Sequence, residues 1–263
     1  MNNITIGQFL PGNTPLHRMD PRSKLILTVA VIIVIFMSGN ALCFATLFAA
    51  LTAVVISTHI KLKIIARALK PIAIIIILTV LLNMFFTQTG DIIFQWQFIK
   101  ITAGGVSVAG LLAARLILLV LSTQLLTLTT SPIALTDGLE YLLKPLSKIG
   151  FPAHEMAMIM SIALRMIPTL LEETDKIRKA QMARGADFES GNLMKRARAM
   201  IPLLVPLFVS AFRRADELAL AMEARCYRGG EHRTRMKILR FSAVDAWATG
   251  CVAALSAAVF LMR

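Results

Sequence analysis

Two runs in the second half of the chain end on an arginine set among small residues: Ala180-Gln181-Met182-Ala183-Arg184-Gly185 and Ala221-Met222-Glu223-Ala224-Arg225-Cys226. Both follow the pattern A-x-x-A-R-small. A guanidinium presents five donors in a planar fork and cannot lose its charge. Small neighbours strip bulk from around it, so a helix tip built this way can enter a concave partner. Two such tips suit two related partner grooves. The competing reading is local: each arginine neutralises the negative end of its own helix.

Residues for covalent or acid–base chemistry are not arranged in this way. His17, His59, His154 and His232 are scattered without ligand spacing, and Cys43, Cys226 and Cys251 form no CxxC pair. Asp137 and Glu140 read as helix-start chemistry. Catalysis needs convergent acids, bases, nucleophiles or metal ligands. A membrane enzyme is therefore the weaker reading, and no catalytic residue, metal site or cofactor is expected. The chain also has no GxxxxGK[ST] phosphate loop.

The elements that must carry the two arginines are long helices. Met156, Met160, Ala163, Ile167, Leu170, Thr174, Ile177, Gln181 and Arg184 step by four and three, as do Ala197, Ile201, Leu204, Phe208, Ala211, Ala215, Leu218, Met222 and Arg225. This is the spacing of a coiled-coil-like seam, which predicts that the stripes pack on each other or on a membrane bundle. Upstream, Ser131-Pro132 opens a helix with Leu135, Leu139, Leu142 and Leu146 in phase, and Gly150-Phe151-Pro152 closes it. Pro168, Pro202 and Pro206 fall within the long patterns and predict kinks or helix starts, because an interior proline costs about 3 kcal/mol. The segment 131–241 holds 18 Lys and Arg against 12 Asp and Glu.

Around this segment the chain is apolar. Hydrophobic residues make up 57% and charged residues 16%, and mean hydropathy is +0.72; a soluble domain has about a quarter charged. No charge lies between Lys24 and Lys61, about twice the roughly 20 residues of one crossing. Ser38-Gly39-Asn40 breaks the run with turn chemistry, predicting spans at about 25–38 and 41–58. Basic residues flank both ends, so both ends lie inside and the N-terminus is cytoplasmic. A second pair follows, from Pro71 (read as first-turn proline) to Gly90, and from about 105 to 130. They are joined by 87–104, where Trp96 favours the interface. Arg115 falls in the second of these, either as an intramembrane charge on a substrate path or snorkelling or paired in the bundle. A fifth span, about 243–262, follows Arg233, Arg235, Lys237 and Arg240, with Asp245 near enough its inner end to reach the interface. A cleaved signal peptide is not expected. The net charge of +13 fits the positive-inside bias. With no stacking platform for bases, no nucleic-acid partner is expected.

The predicted fold class is thus an all-α membrane protein of about five transmembrane helices, with long cytoplasmic helices between the fourth and fifth. The divisions are 1–130 (four spans), 131–241 (long cytoplasmic helices) and 242–263 (final span).

Several runs together resemble the T component, the EcfT-type membrane subunit, of energy-coupling-factor vitamin transporters. They are His17 to Leu25, Leu135 to Glu140, Leu164-Arg165-Met166-Ile167-Pro168, Ala180 to Gly185, Ile201 to Pro206 and Ala221 to Arg225. The resemblance implies a prokaryotic cell-membrane complex. In it, two cytoplasmic ATPase subunits grip Ala183-Arg184-Gly185 and Ala224-Arg225-Cys226. A separate S component binds the vitamin and docks on the apolar faces of the coupling helices. Both tips are then expected side by side on the inner face. Cys226 departs from the family's usual glycine, which puts a left-handed cap at that position in question. The cobalt- or nickel-transport relatives share the architecture and differ in partners. A self-sufficient secondary transporter would need broken helices and polar midplane residues, for which Asn83 and Arg115 are thin support.

Overall fold

The computed structural model describes residues 9–262 apart from 59, 88, 97, 98, 189, 191 and 230–238. Of the residues used above, His59, His232, Arg233, Arg235, Lys237 and the side chain of Trp96 lie outside the described set. The chain forms two compact units, Met1–Leu139 with Lys237–Arg263, and Glu140–Met236.

The first unit is a helical bundle. A short helix α1 (Pro15–Arg18) leads to α2 (Pro21–Met37), where the Asp20 side chain accepts from Arg22 N and Pro21 occupies the first turn. This pairing satisfies one orphan donor and uses proline where no donor is needed. Then come α3 (Ala41–Ser57) and α4 (Leu62–Phe86). Pro71 lies inside α4 and does not open it. The apolar run it belongs to extends backward through Leu69, Ala68 and Ile65, so the helix begins in the basic segment.

An antiparallel hairpin, β1 (Ile92–Trp96) with β2 (Ile99–Thr102), follows. The sequence reading leaves this stretch as a connection; only its β-branched and aromatic content hints at strands. It is closed by the start of α5 (Ala103–Thr129), where Thr102 accepts from Gly105 N. A Cβ on Gly104 would lie 2.1 Å from Thr89 O, so glycine is required at this crossing. The unit ends with α9 (Ala243–Leu261), opened by a Ser242/Asp245 capping box.

The core of this unit joins α2, α3, α5 and α9 through Ile35, Cys43, Phe44, Leu47, Leu118, Leu125 and Val259. Leu69–Phe86 of α4, α5, α7 and α9 are long and apolar enough to cross a membrane. Two of the five expected spans, α2 and α3, have 17 residues each. They rise about 26 Å, short of the roughly 30 Å hydrocarbon core. Wide apolar faces, such as Ile74, Ile77 and Leu78 on α4, remain exposed, as suits helices whose solvent is lipid. Arg115 donates to Ser38 O at 2.8 Å and lies 5.7 Å from the Phe44 ring centre. It caps the carbonyl left open at the α2–α3 turn, which is the pairing within the bundle.

In the second unit, α6 (Pro132–Leu143), which begins in the first unit, gives way to a 3₁₀ turn, Lys144–Ile149. Gly150 stops it in the left-handed region, φ 87. Two long helices follow, α7 (Ala153–Ala183) and α8 (Leu193–Ala224). Pro168, Pro202 and Pro206 start no helix; all three sit in helix interiors. Among the described residues of the pair, the apolar stripes stay largely open. Met156, Met160, Ile201, Leu204 and Phe208 are exposed, and of the described residues of these two helices only Ala153, Ala157 and Leu203 are buried.

Candidate functional site

Both arginine tips end their helices by the same backbone device. At the first, Gly185 N donates to Met182 O (3.0 Å) and Ala186 N to Gln181 O (2.9 Å). At the second, Cys226 N donates to Glu223 O (2.8 Å) and Tyr227 N to Met222 O (3.0 Å). This is the Schellman pattern, in which the residue after the cap turns left-handed and the last carbonyls receive backbone donors. Gly185 has φ 87 and Cys226 φ 56. The left-handed cap questioned for Cys226 is therefore present, on a side chain for which that conformation costs about 1–2 kcal/mol.

The caps leave the guanidinium groups for other use. Arg184 and Arg225 are exposed, as are Ala183, Gly185, Ala224 and Cys226. Neither arginine makes an ion pair or side-chain hydrogen bond among the described residues. Backbone N–H groups satisfy the carbonyls of the last turn, so no cap hydrogen bond is required of either guanidinium.

Three side-chain links set the mutual register of α7 and α8. Glu173 accepts from the Ser210 hydroxyl and from Arg214 Nη2, the latter at 2.9 Å. The Ser210 bond first, and the Arg214 charge after it, hold the Glu173 carboxyl below the ordinary carboxylate range against the opposing effect of burial. Nearer the first tip, Gln181 Nε2 donates to Pro202 O at 3.4 Å. That carbonyl is open for a local reason: Pro206, four residues on, has no N–H to give it. Nearer the second tip, Tyr227 Oη lies 3.5 Å from His154 Nε2, whose Nδ1 is 2.9 Å from Glu140 Oε1.

These pairs run in opposite senses along the two helices, so α7 and α8 are antiparallel. Arg184 therefore lies near the start of α8, and Arg225 near the start of α7. The expectation that the tips emerge side by side is corrected accordingly. They sit at opposite ends of the pair, separated by roughly 35 Å of helix rise from Pro202 to Arg225. The physical cause is the short link between α7 and α8, which forces an antiparallel return.

Sequence reasoning missed all three links. Only Gln181 had a readable signal, because Pro202 and Pro206 at spacing four announce a free carbonyl. The sequence reading takes Asp245 to the interface and leaves Lys24 on the basic flank of the first span, and the structure buries both. Asp245 is 3% exposed, accepting from Asp20 N (2.9 Å) and Ser242 N (2.7 Å). Lys24 Nζ donates to Thr129 O (2.9 Å) and Thr130 Oγ1 (3.2 Å), and the Arg22 guanidinium stacks 5.8 Å from the Phe241 ring centre. Among the described residues, no three His, Cys, Asp or Glu side chains are grouped to hold a metal.

The family model described as cobalt transport protein, CbiQ, matches residues 12–236. Relatives that carry the name energy-coupling factor transporter transmembrane protein EcfT include those of three organisms. That of Thermosediminibacter oceani is 56% identical over 245 residues, covering 93% of this chain and 92% of its own. That of Ruminiclostridium cellulolyticum is 53% identical over 265 residues (100% and 98%). That of Bacillus subtilis is 47% identical over 263 residues (100% and 99%).

Proposed function

Because the chain belongs to the CbiQ cobalt transport protein family, as an EcfT-type transmembrane component of energy-coupling-factor transporters, we propose that it is the non-catalytic coupling subunit of a vitamin importer. Two cytoplasmic ATPases grip Ala183-Arg184-Gly185 and Ala224-Arg225-Cys226, and the S component rides on the exposed apolar faces of α7 and α8. Motion of the ATPases then tilts these helices and reorients the S component in the cell membrane. The N-terminus and residues 131–241 lie in the cytoplasm, 1–130 supplies four spans and 242–263 the last.

The observation that carries this reading is the pair of matched tips. Each has an exposed guanidinium, a backbone cap that leaves it unused, and small flanking residues. Supporting it, Met200, Ile201, Val205, Phe208, Val209 and Phe212 form an exposed apolar face on α8, larger than a solvated helix tolerates without a partner. The basic residues before α2 and after α3 favour the cytoplasmic side for both. α7 has the lowest hydropathy of the four long apolar helices, 1.2 against 1.7 to 2.3. Its second half is charged from Glu172 to Lys179, which fits a helix lying outside the bilayer core.

Arg184→Glu and Arg225→Glu each weaken recovery of the ATPases on a tagged chain, and the double change abolishes it while membrane insertion persists. Full recovery from the double mutant overturns the assignment. The cobalt or nickel reading, which the family model's name favours, predicts different companions. Mass spectrometry of the same pull-down separates the two.

A further inference from the structure

The face of α4 that points away from the core changes character once along its length. Lys63, Arg67 and Lys70 follow one another by four and three residues, which places them on one stripe of a helix turning about 100° per residue. Ile65 stands opposite and is buried against the bundle, whereas all three cations are exposed. Ile74, Ile77, Leu81 and Phe85 continue the same stripe and are exposed too. A single surface line thus runs from three charges into hydrocarbon, with Lys70 and Ile74 one turn apart.

That line fixes the depth of the charges. Leu69–Phe86 has 18 residues, a rise of about 27 Å against a hydrocarbon core of roughly 30 Å, so the cations stand where the core gives way to headgroups. Their Cα atoms span about 10 Å of rise, and the headgroup layer on each side is roughly 5–8 Å thick. Lys70 reaches this layer from the hydrocarbon side by extending its side chain outward, and Lys63 reaches it from the water side. Nothing on the chain answers the charge. No Asp or Glu occurs between Asp20 and Asp91, Asp20 is buried, and among the described residues none of the three cations makes an ion pair. Arg178, Lys179 and Arg214, by contrast, are met by Asp175 and Glu173. Like charges three and four residues apart on a helix repel, so the stripe gains from an anion held beside it.

We propose that Lys63, Arg67 and Lys70 form a binding surface for the phosphates of anionic phospholipid, which holds α4 at a fixed depth in the bilayer. Lipid phosphate lies at the level of all three cations, whereas an acidic protein would have to enter the headgroup layer to reach Lys70. Clusters of Lys and Arg beside a membrane helix attract anionic lipid by about fivefold in affinity per cation. The inference requires only that α4 cross the bilayer, and it is independent of how the two arginine tips are used.

The test uses the full chain in nanodiscs of phosphatidylcholine with increasing phosphatidylglycerol of the same tails, and retained lipid is read by native mass spectrometry. Phosphatidylglycerol is expected to be retained over phosphatidylcholine, and about 1 M salt, with a screening length of about 3 Å, to erase the preference. Arg67→Gln is expected to lower it about fivefold. Lys63→Gln, Arg67→Gln and Lys70→Gln together remove most of it. Lys195→Gln, Arg196→Gln and Arg198→Gln together take the same charge from exposed positions at the start of α8 and are expected to leave the preference in place. Should the α4 triple variant not insert, the Arg67→Gln ratio and the α8 control still decide. Equal retention of the two lipids, a loss as large in the α8 variant as in the α4 variants, or an acidic polypeptide retained through the stripe in place of lipid overturns the proposal.

Discussion

The tips at Arg184 and Arg225 have the same backbone and different chemistry. Both use the six-to-one and five-to-two bonds of a Schellman cap, but one turns on glycine and the other on cysteine. The first therefore adopts its left-handed residue at no steric penalty, whereas the second adopts it against a preference of about 1–2 kcal/mol. Their surroundings differ in a complementary way. The second is followed at once by Tyr227, which reaches His154 and through it Glu140. The first is steadied one turn earlier, through Gln181 on a proline-freed carbonyl. A shared tip geometry can thus be held in two ways: by a residue that prefers it, or by tertiary contacts that hold a less willing one.

That comparison can be broken most forcefully at its glycine. Gly185→Val places a β-branched residue at φ 87, and at about 1–2 kcal/mol of strain or more recovery of ATPase on the first tip is expected to fall about tenfold. The change should leave helical content by circular dichroism intact. Cys226→Gly removes the corresponding strain at the second tip. It should raise stability by about 1 kcal/mol, read as a higher thermal midpoint in detergent with partner recovery retained. If Cys226→Gly lowers the midpoint, the cysteine side chain contributes packing that outweighs its conformation.

Tyr227→Phe tests whether the brace holds the second tip. A long, partly exposed hydrogen bond contributes at most about 0.5–1 kcal/mol. The expected result is a small loss of midpoint that grows when Cys226 is present and shrinks in the Cys226→Gly background. Additive effects would show that brace and cap are uncoupled. The smallest effect is electrostatic. Glu173 has a folded-state acidity stronger than its unfolded one. Its clasp with Ser210 and Arg214 therefore contributes fully above the unfolded carboxylate range and is lost as pH falls through the folded value. Acidification should lower the midpoint of the parent chain more steeply than that of Glu173→Gln, and parallel slopes would remove the clasp from consideration.

Much of this architecture is legible along the chain because its signals are local. Uncharged runs mark membrane segments, Ser131-Pro132 marks a helix start, and alternate steps of three and four mark α7 and α8. The A-x-x-A-R ending announces both tips with their arginines in phase. What misleads is equally physical. Pro71 suggests a helix start, as Pro168, Pro202 and Pro206 can, but all four lie within helices, whose surrounding turns outweigh the one backbone bond each removes. The seam spacing of α7 and α8 suggests packing on each other or on the bundle, but periodicity says only that a face is apolar, and within the pair most of each stripe stays exposed. The hairpin at 92–102 hides because a short apolar stretch has no period long enough to distinguish strand from link.

The sequence by itself therefore determined the helices, the number of long apolar runs and the residues that end on arginine, all of which follow from hydrogen bonding and hydrophobicity within a few turns. Only the tertiary structure decided that the tips stand at opposite ends of an antiparallel pair, that Cys226 accepts a left-handed turn, and that Lys24 and Asp245 are buried. Those outcomes depend on partners such as Pro202 for Gln181, His154 for Tyr227 and Thr129 for Lys24. They lie from about twenty to more than a hundred residues away, and no local period encodes a contact across that distance.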